Sequence, residues 1–118
     1  MRGKQTPCVV VEGHLDGIAV ARGGFSVAVL GGTGVTGAVE EWAARLLPTI
    51  PVVVMLDGTA VAEATRLYWA IRAVRGGAPT HFSLLAEEQD PAMLGPTGIQ
   101  TAVREVLGGG LLSGLSPT

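Results

Sequence analysis

Of the ten acidic residues in this 118-residue chain, four stand where chemistry is to be looked for. Glu12 follows an apolar run that begins at Cys8, and Asp16 comes four residues later. Asp57 closes the apolar run 52–56 with a glycine behind it, and Asp90 precedes a proline. Carboxylates gathered in one place repel one another, and a hard cation with a preference for oxygen ligands, Mg2+ above all, relieves the repulsion. A cation held in that way suits phosphoryl transfer, in which the protein positions an attacking hydroxyl and neutralises charge on the phosphate. Taken singly, each residue has a plainer explanation. Asp16 suits the first turn of a helix for reasons of dipole, and Asp57-Gly58 reads as an ordinary turn.

Whether the four meet depends on the elements that carry them. Short β-branched runs alternate with stretches of helical spacing, the pattern of a parallel sheet with crossover helices. Cys8 to Val11, Phe25 to Leu30, Val52 to Leu56 and His81 to Leu85 read as strands. Helices are expected from Leu15 to Arg22, Gly37 to Leu47, Val61 to Arg75 and Ile99 to Leu107. Gly23-Gly24, Pro48 and Gly76-Gly77 supply the stops. The third helix has Val61, Ala64, Tyr68, Ile71 and Val74 as its apolar face, with Glu63, Arg66, Arg72 and Arg75 on its wetter side. The expected fold class is α/β, a parallel four-stranded sheet with helices on both faces. Loops and helix N-termini converge at the carboxyl ends of such strands, and there Glu12, Asp16, Asp57 and Asp90 fall. One domain is expected over 8–107, preceded by an extension 1–7 and followed by a Gly/Ser/Leu-rich tail 108–118 without periodicity.

Composition narrows the field. With 47% hydrophobic and 15% charged residues, the chain lies far from the signature of disorder. Its apolar runs are too short to span a bilayer, and Arg2 and Lys4 are not followed by a signal-type core, so a cytoplasmic protein with no membrane partner is expected. A single cysteine and two histidines exclude a disulfide and a Cys/His zinc site. The net charge of −2 excludes a domain that grips nucleic acid by overall charge, so any such contact is local or shared with partners.

Read in order, the elements resemble a known family. Val9-Val10-Val11-Glu12-Gly13-His14-Leu15-Asp16 resembles the strand-Glu-Gly-x-x-Asp signature of Toprim domains, in the form found in bacterial-type DNA primases and primase-helicases. Gly32-Thr33-Gly34-Val35-Thr36 resembles the Gly-Thr-x-x-Thr loop of that group, and Val52 to Thr59 its strand with the Asp-x-Asp motif. Gln89-Asp90-Pro91-Ala92 resembles its Lys-Asp-Pro-Asp element. The four cover roughly 8–105, and their shared order is far more specific than any one of them. The resemblance implies a Toprim-like, Rossmann-like fold and Mg2+- or Mn2+-dependent phosphoryl or nucleotidyl transfer on DNA or RNA. It implies Glu12 and Asp57 as catalytic residues, Glu12, Asp16, Asp57 and Asp90 as metal ligands, and other replication-type proteins or domains as partners. Gly32 and Thr33 become candidates for contact with a phosphate, and Arg66 for contact with a nucleic-acid backbone.

The chain also departs from the pattern. Thr59 stands where the family keeps the second Asp of Asp-x-Asp, and Ala92 where it keeps the second Asp of Asp-Pro-Asp. Fewer anionic ligands weaken Mg2+ binding. The opposing reading is therefore a catalytically degenerate Toprim module that binds nucleic acid or protein. Thr59 could hold a metal-bound water, and Glu87 or Glu88 could substitute for a lost ligand, although both glutamates read first as solvated surface. His14 reads as an exposed loop histidine, and Trp42, Trp69 and His81 as packing. A complete bacterial-type primase is a longer assembly with a zinc-binding module and a basic template-binding subdomain, and neither is expected to fit in these 118 residues. The chain is accordingly a standalone Toprim protein, a module acting with partners, or a fragment.

Overall fold

The computed structural model describes residues 6–31 and 37–108. Gly32 and Thr33, with the rest of the 32–36 loop, residues 1–5 and the tail 109–118 lie outside the described residues. Four strands, β1 (Cys8–Val11), β2 (Ser26–Val29), β3 (Val52–Val54) and β4 (Thr80–Phe82), alternate with four helices. These are α1 (His14–Arg22), α2 (Gly37–Arg45), α3 (Val61–Arg75) and α4 (Pro91–Leu107). Every strand pair is parallel, in the order β2-β1-β3-β4. The chain thus has the expected α/β architecture.

The valine runs explain the two central strands, which are buried throughout. Successive side chains of a strand face opposite ways, so each run feeds two cores. Val9, Val11, Val53 and Met55 pack with Ala19 and Val20 of α1 and with Ile99 and Val103 of α4. Val10, Val52, Val54 and Leu56 pack on the other face with Ala43 of α2 and with Ala64, Leu67 and Ile71 of α3. Right-handed crossovers require this division. The step from β1 to β2 runs one way along the sheet, and the steps from β2 to β3 and from β3 to β4 run the other. Among the described residues no helix is long and apolar enough to cross a membrane.

Several expectations need correction. The strands are shorter than their apolar runs. Leu56 and Leu85 lie beyond them and are nevertheless buried, since a short strand is continued by an irregular segment still covered by helices. The last helix begins at Pro91 instead of Ile99, with a kink at Gly95 (φ 71°, ψ 173°). The dihedrals of Gly95 are far from helical, so α4 is two helical stretches joined at a kink before Pro96. On α3 the buried face is Ala64, Leu67 and Ile71, while Val61, Val74 and Trp69 are exposed. Trp69 is therefore a surface residue and not packing. Trp42, by contrast, packs at the edge of the second core, and His81 is partly buried.

Arg75, expected on the wet side of α3, is buried. Its guanidinium donates to the Pro79 carbonyl at 2.6 Å and to the Ile50 and Leu47 carbonyls at 2.5 and 3.2 Å. It also donates to Thr80 Oγ1 at 3.3 Å. One side chain thus joins the connection before β3 to the turn before β4. Burial pushes the nearby Cys8 thiol up to about 11, which Arg75 opposes, so Cys8 stays a protonated core residue at neutral pH. Arg75→Met keeps the stem and strands these acceptors. It should cost about 2–4 kcal/mol in urea unfolding, because a hydrogen bond from a charged donor is worth about 1.5–3 kcal/mol. Wild-type stability in Arg75→Met would show that water replaces the guanidinium without penalty.

Candidate metal centre

Three carboxylates reach one place by three different local devices. Asp16 lies in the first turn of α1 and is buried, with Oδ1 accepting the Ala92 backbone N–H at 2.9 Å. Asp90 is the N-cap of α4, its Oδ1 accepting the Met93 N–H at 2.8 Å, with Pro91 at the first helical position. This is a strong N-terminal signal, since the cap satisfies an otherwise orphaned donor and proline has none to satisfy.

Asp57 is carried in by its neighbour. The Gly58 N–H donates to the Gln89 carbonyl at 2.9 Å, and Gln89 N–H donates to the Ala86 carbonyl at 2.9 Å. A Cβ at position 58 would overlap the Ala86 carbonyl. The exit of β3 therefore lies directly on the 86–89 turn, at a separation only glycine permits, and Asp57 is brought to Asp90.

One oxygen from each of Asp16, Asp57 and Asp90 lies within 4.8 Å of the others. Two ligands of one Mg2+, each about 2.0–2.1 Å from the ion, stand at most about 4.2 Å apart, and two of one Ca2+ at most about 5 Å. The three donors thus lie near the separations that one hard cation requires, and inward rotation of the carboxylates would close the difference. The donor set is all oxygen and suits a hard cation. The crevice is the one the topology creates: β1 and β3 are neighbours whose following connections leave in opposite directions.

Electrostatics follows from this geometry. Burial holds the Asp57 carboxyl above the usual range, and the charges of Asp16 and Asp90 push it further. Glu12 is also raised, first by burial and then by Glu63, Asp57 and Asp16. Among the described residues no basic group opposes the rise at either residue.

Of the four expected ligands Glu12, Asp16, Asp57 and Asp90, the last three gather. Asp90 supplies the third oxygen, and Glu12, just past β1, feels the cluster without being one of its three members. His14 is exposed at the start of α1, Thr59 is exposed two residues beyond Asp57, and Glu87 and Glu88 are exposed on their turn. Ala92 takes part through its N–H alone. Arg66 is exposed on α3, away from the three carboxylates in sequence. Sequence reasoning missed the Ala92 amide and the close approach at Gly58. The Asp90-Pro91 pair was a readable cap signal, whereas nothing in the sequence pairs position 58 with position 86.

Comparisons with protein-family models, curated proteins and solved structures find no match for this chain.

Two outcomes follow from the geometry. Gly58→Ala must push the 86–89 turn away from β3, so it should lower stability by more than about 1 kcal/mol and abolish metal binding together, read by urea unfolding and calorimetry. Carboxyls raised in the folded state bind protons more tightly there than in the unfolded chain. Without metal, stability should fall as pH rises from about 4 through the raised values of Asp57 and Glu12, then level off. Asp57→Asn should flatten that decline, and a saturating divalent cation should offset it by binding the native state. Thermal melts across pH that show no difference between wild type and Asp57→Asn would contradict the mutual repulsion.

Proposed function

We propose that this chain is a Toprim-like module acting on nucleic-acid phosphodiesters with one divalent cation, Mg2+ or Mn2+, held by Asp16, Asp57 and Asp90. The observation that carries the reading is the convergence of three carboxylates from three distant stretches of chain at the β1/β3 crevice. Uncompensated negative charge kept together by folding is what a cation site requires and what a purely structural loop cluster avoids. When bound, such an ion neutralises charge on the transferred phosphate and acidifies the attacking hydroxyl.

The residues divide the work. Asp16, fixed by the Ala92 N–H, and Asp90, fixed by its own cap, are the rigid ligands. Asp57 is the third ligand. Glu12, whose carboxyl is held above the usual range, is the base that accepts the proton of the attacking hydroxyl. DNA or RNA is the substrate, and replication-type proteins are the partners.

A second reading has its own support. Thr59 and Ala92 bring no carboxylate to positions where the resemblance calls for one, which favours an adaptor that keeps the fold without catalysis. The two readings part on metal. The enzyme reading expects one weak site that prefers Mn2+ to Mg2+, following the usual affinity order. Thr59→Asp should tighten it and raise primer synthesis or nicking, while Asp57→Asn should abolish both. Calorimetric titration of the three proteins, run beside a primer-synthesis and nicking assay, measures this. No heat from wild type, and none recovered by Thr59→Asp, leaves the adaptor.

A further inference from the structure

On the outer face of α3, away from both cores, Arg66, Trp69 and Arg72 fall at successive three-residue spacing and are all exposed. Trp69 is 57% exposed, high for the largest side chain of the set. It is also held in place. Its ring meets Tyr68 edge-on, with centroids 5.2 Å apart at 75°, and Tyr68 stacks at 6.1 Å on Phe82 of β4. The Arg72 guanidinium lies 5.4 Å from the Trp69 centroid and 5.9 Å from that of Tyr68, and it donates to the Tyr68 hydroxyl at 2.7 Å.

We infer that Arg66, Trp69 and Arg72 form a stacking platform for single-stranded nucleic acid, with Trp69 taking a base and the two arginines the flanking phosphates. Three observations carry this. An aromatic ring held by its neighbours loses little freedom when a base stacks on it. Both arginines are unpaired with any carboxylate among the described residues, and Glu63, which continues the row one step before Arg66, makes no ion pair with it. Charge on this face therefore suits an anionic strand, where a second copy of the chain would want an apolar or acidic counterpart. Arg66 and Arg72 are about 9 Å apart along the helix, the rise of roughly two to three stacked nucleotides. Trp69 lies about 12 Å along α3 from its first residue, which follows Asp57 by four positions.

The inference extends the nucleic-acid reading above, and it is tested without metal so that the two can fail separately. A fluorescently labelled oligothymidylate is titrated with the full chain in chelator at several salt concentrations. Wild type should bind, and Trp69→Ala should weaken binding at least about tenfold, or about 1.4 kcal/mol, as expected for one lost base stack. Trp69→Phe should recover most of it. Arg66→Ala and Arg72→Ala should each weaken binding and reduce the salt slope by about 0.7. An abasic oligomer should bind wild type no better than the normal oligomer binds Trp69→Ala. In a Trp42→Phe background, the remaining Trp69 emission should be quenched on binding. Trp69→Ala should keep wild-type calorimetric heats with Mn2+. Absent binding by wild type, or equal affinity in Trp69→Ala, overturns the inference and leaves the metal reading standing. So does a concentration-dependent dimer that Trp69→Ala dissolves while oligomer binding is unchanged, which would assign the face to a second copy.

Discussion

The first turn of α4 is the constraint on which the rest of the site depends. Its backbone N–H groups hold two of the three carboxylates, Met93 binding Asp90 and Ala92 binding Asp16. A helix N-terminus carries partial positive charge, so the same turn that orients these anions also offsets part of their repulsion. Asp16 comes from α1, 76 positions away from Ala92 along the chain, so this contact also docks α1 on α4 across the face that Val20 and Val103 fill. Carboxylate cluster and core on this side are therefore built together, and loss of the turn would release both. Asp57 is the exception. It is delivered from the opposite side by the approach of Gly58 to the 86–89 turn, and it bears the combined charge of the other two.

Most of the fold was legible because the determining features are local. Valine runs feeding two cores, and glycine or proline at the ends of helices, announce a parallel α/β sheet without knowledge of any long-range pair. The strand order adds one fact that periodicity does not contain, namely that β1 and β3 are neighbours, and this is what makes a crevice of the loops after them. Where local reasoning failed, a competing interaction decided. Helical spacing places the last helix from Ile99, yet the Asp90 cap and Pro91 begin a helical stretch upstream, joined to the later one across the kink at Gly95. Arg75 reads as surface on helical spacing, yet four acceptors inside the molecule outweigh its desolvation.

The site was legible in its residue types and only partly in its geometry. Carboxylates after strands are visible in the sequence, and three of the four named residues do gather. Which three gather depends on distances of an ångström or two, set by backbone contacts that leave no mark in residue type. Glu12 directly follows β1, while Asp16 is a turn into α1, where the α4 turn holds it. The departure at Ala92 gains meaning from the same contact. That position still serves the cluster through its amide, and an amide contact is indifferent to the side chain, so loss of a carboxylate there leaves the placement of Asp16 intact.

Charge is the remaining difficulty for a nucleic-acid reading of a chain with a net charge of −2. Three carboxylates within 4.8 Å repel a phosphate unless a cation sits among them, and the Debye length at physiological salt, about 8 Å, keeps that repulsion local. Along α3, Arg66 lies about 7.5 Å and Arg72 about 16.5 Å from the carboxylate end of the helix, so Arg72 is screened from the cluster and Arg66 in part. A strand can then be retained on the arginine and tryptophan face whether or not the acidic end holds a metal, while its approach to the carboxylates depends on the metal. Occupancy of the centre, on this reading, governs which part of a bound strand the protein acts upon more than whether the strand is bound.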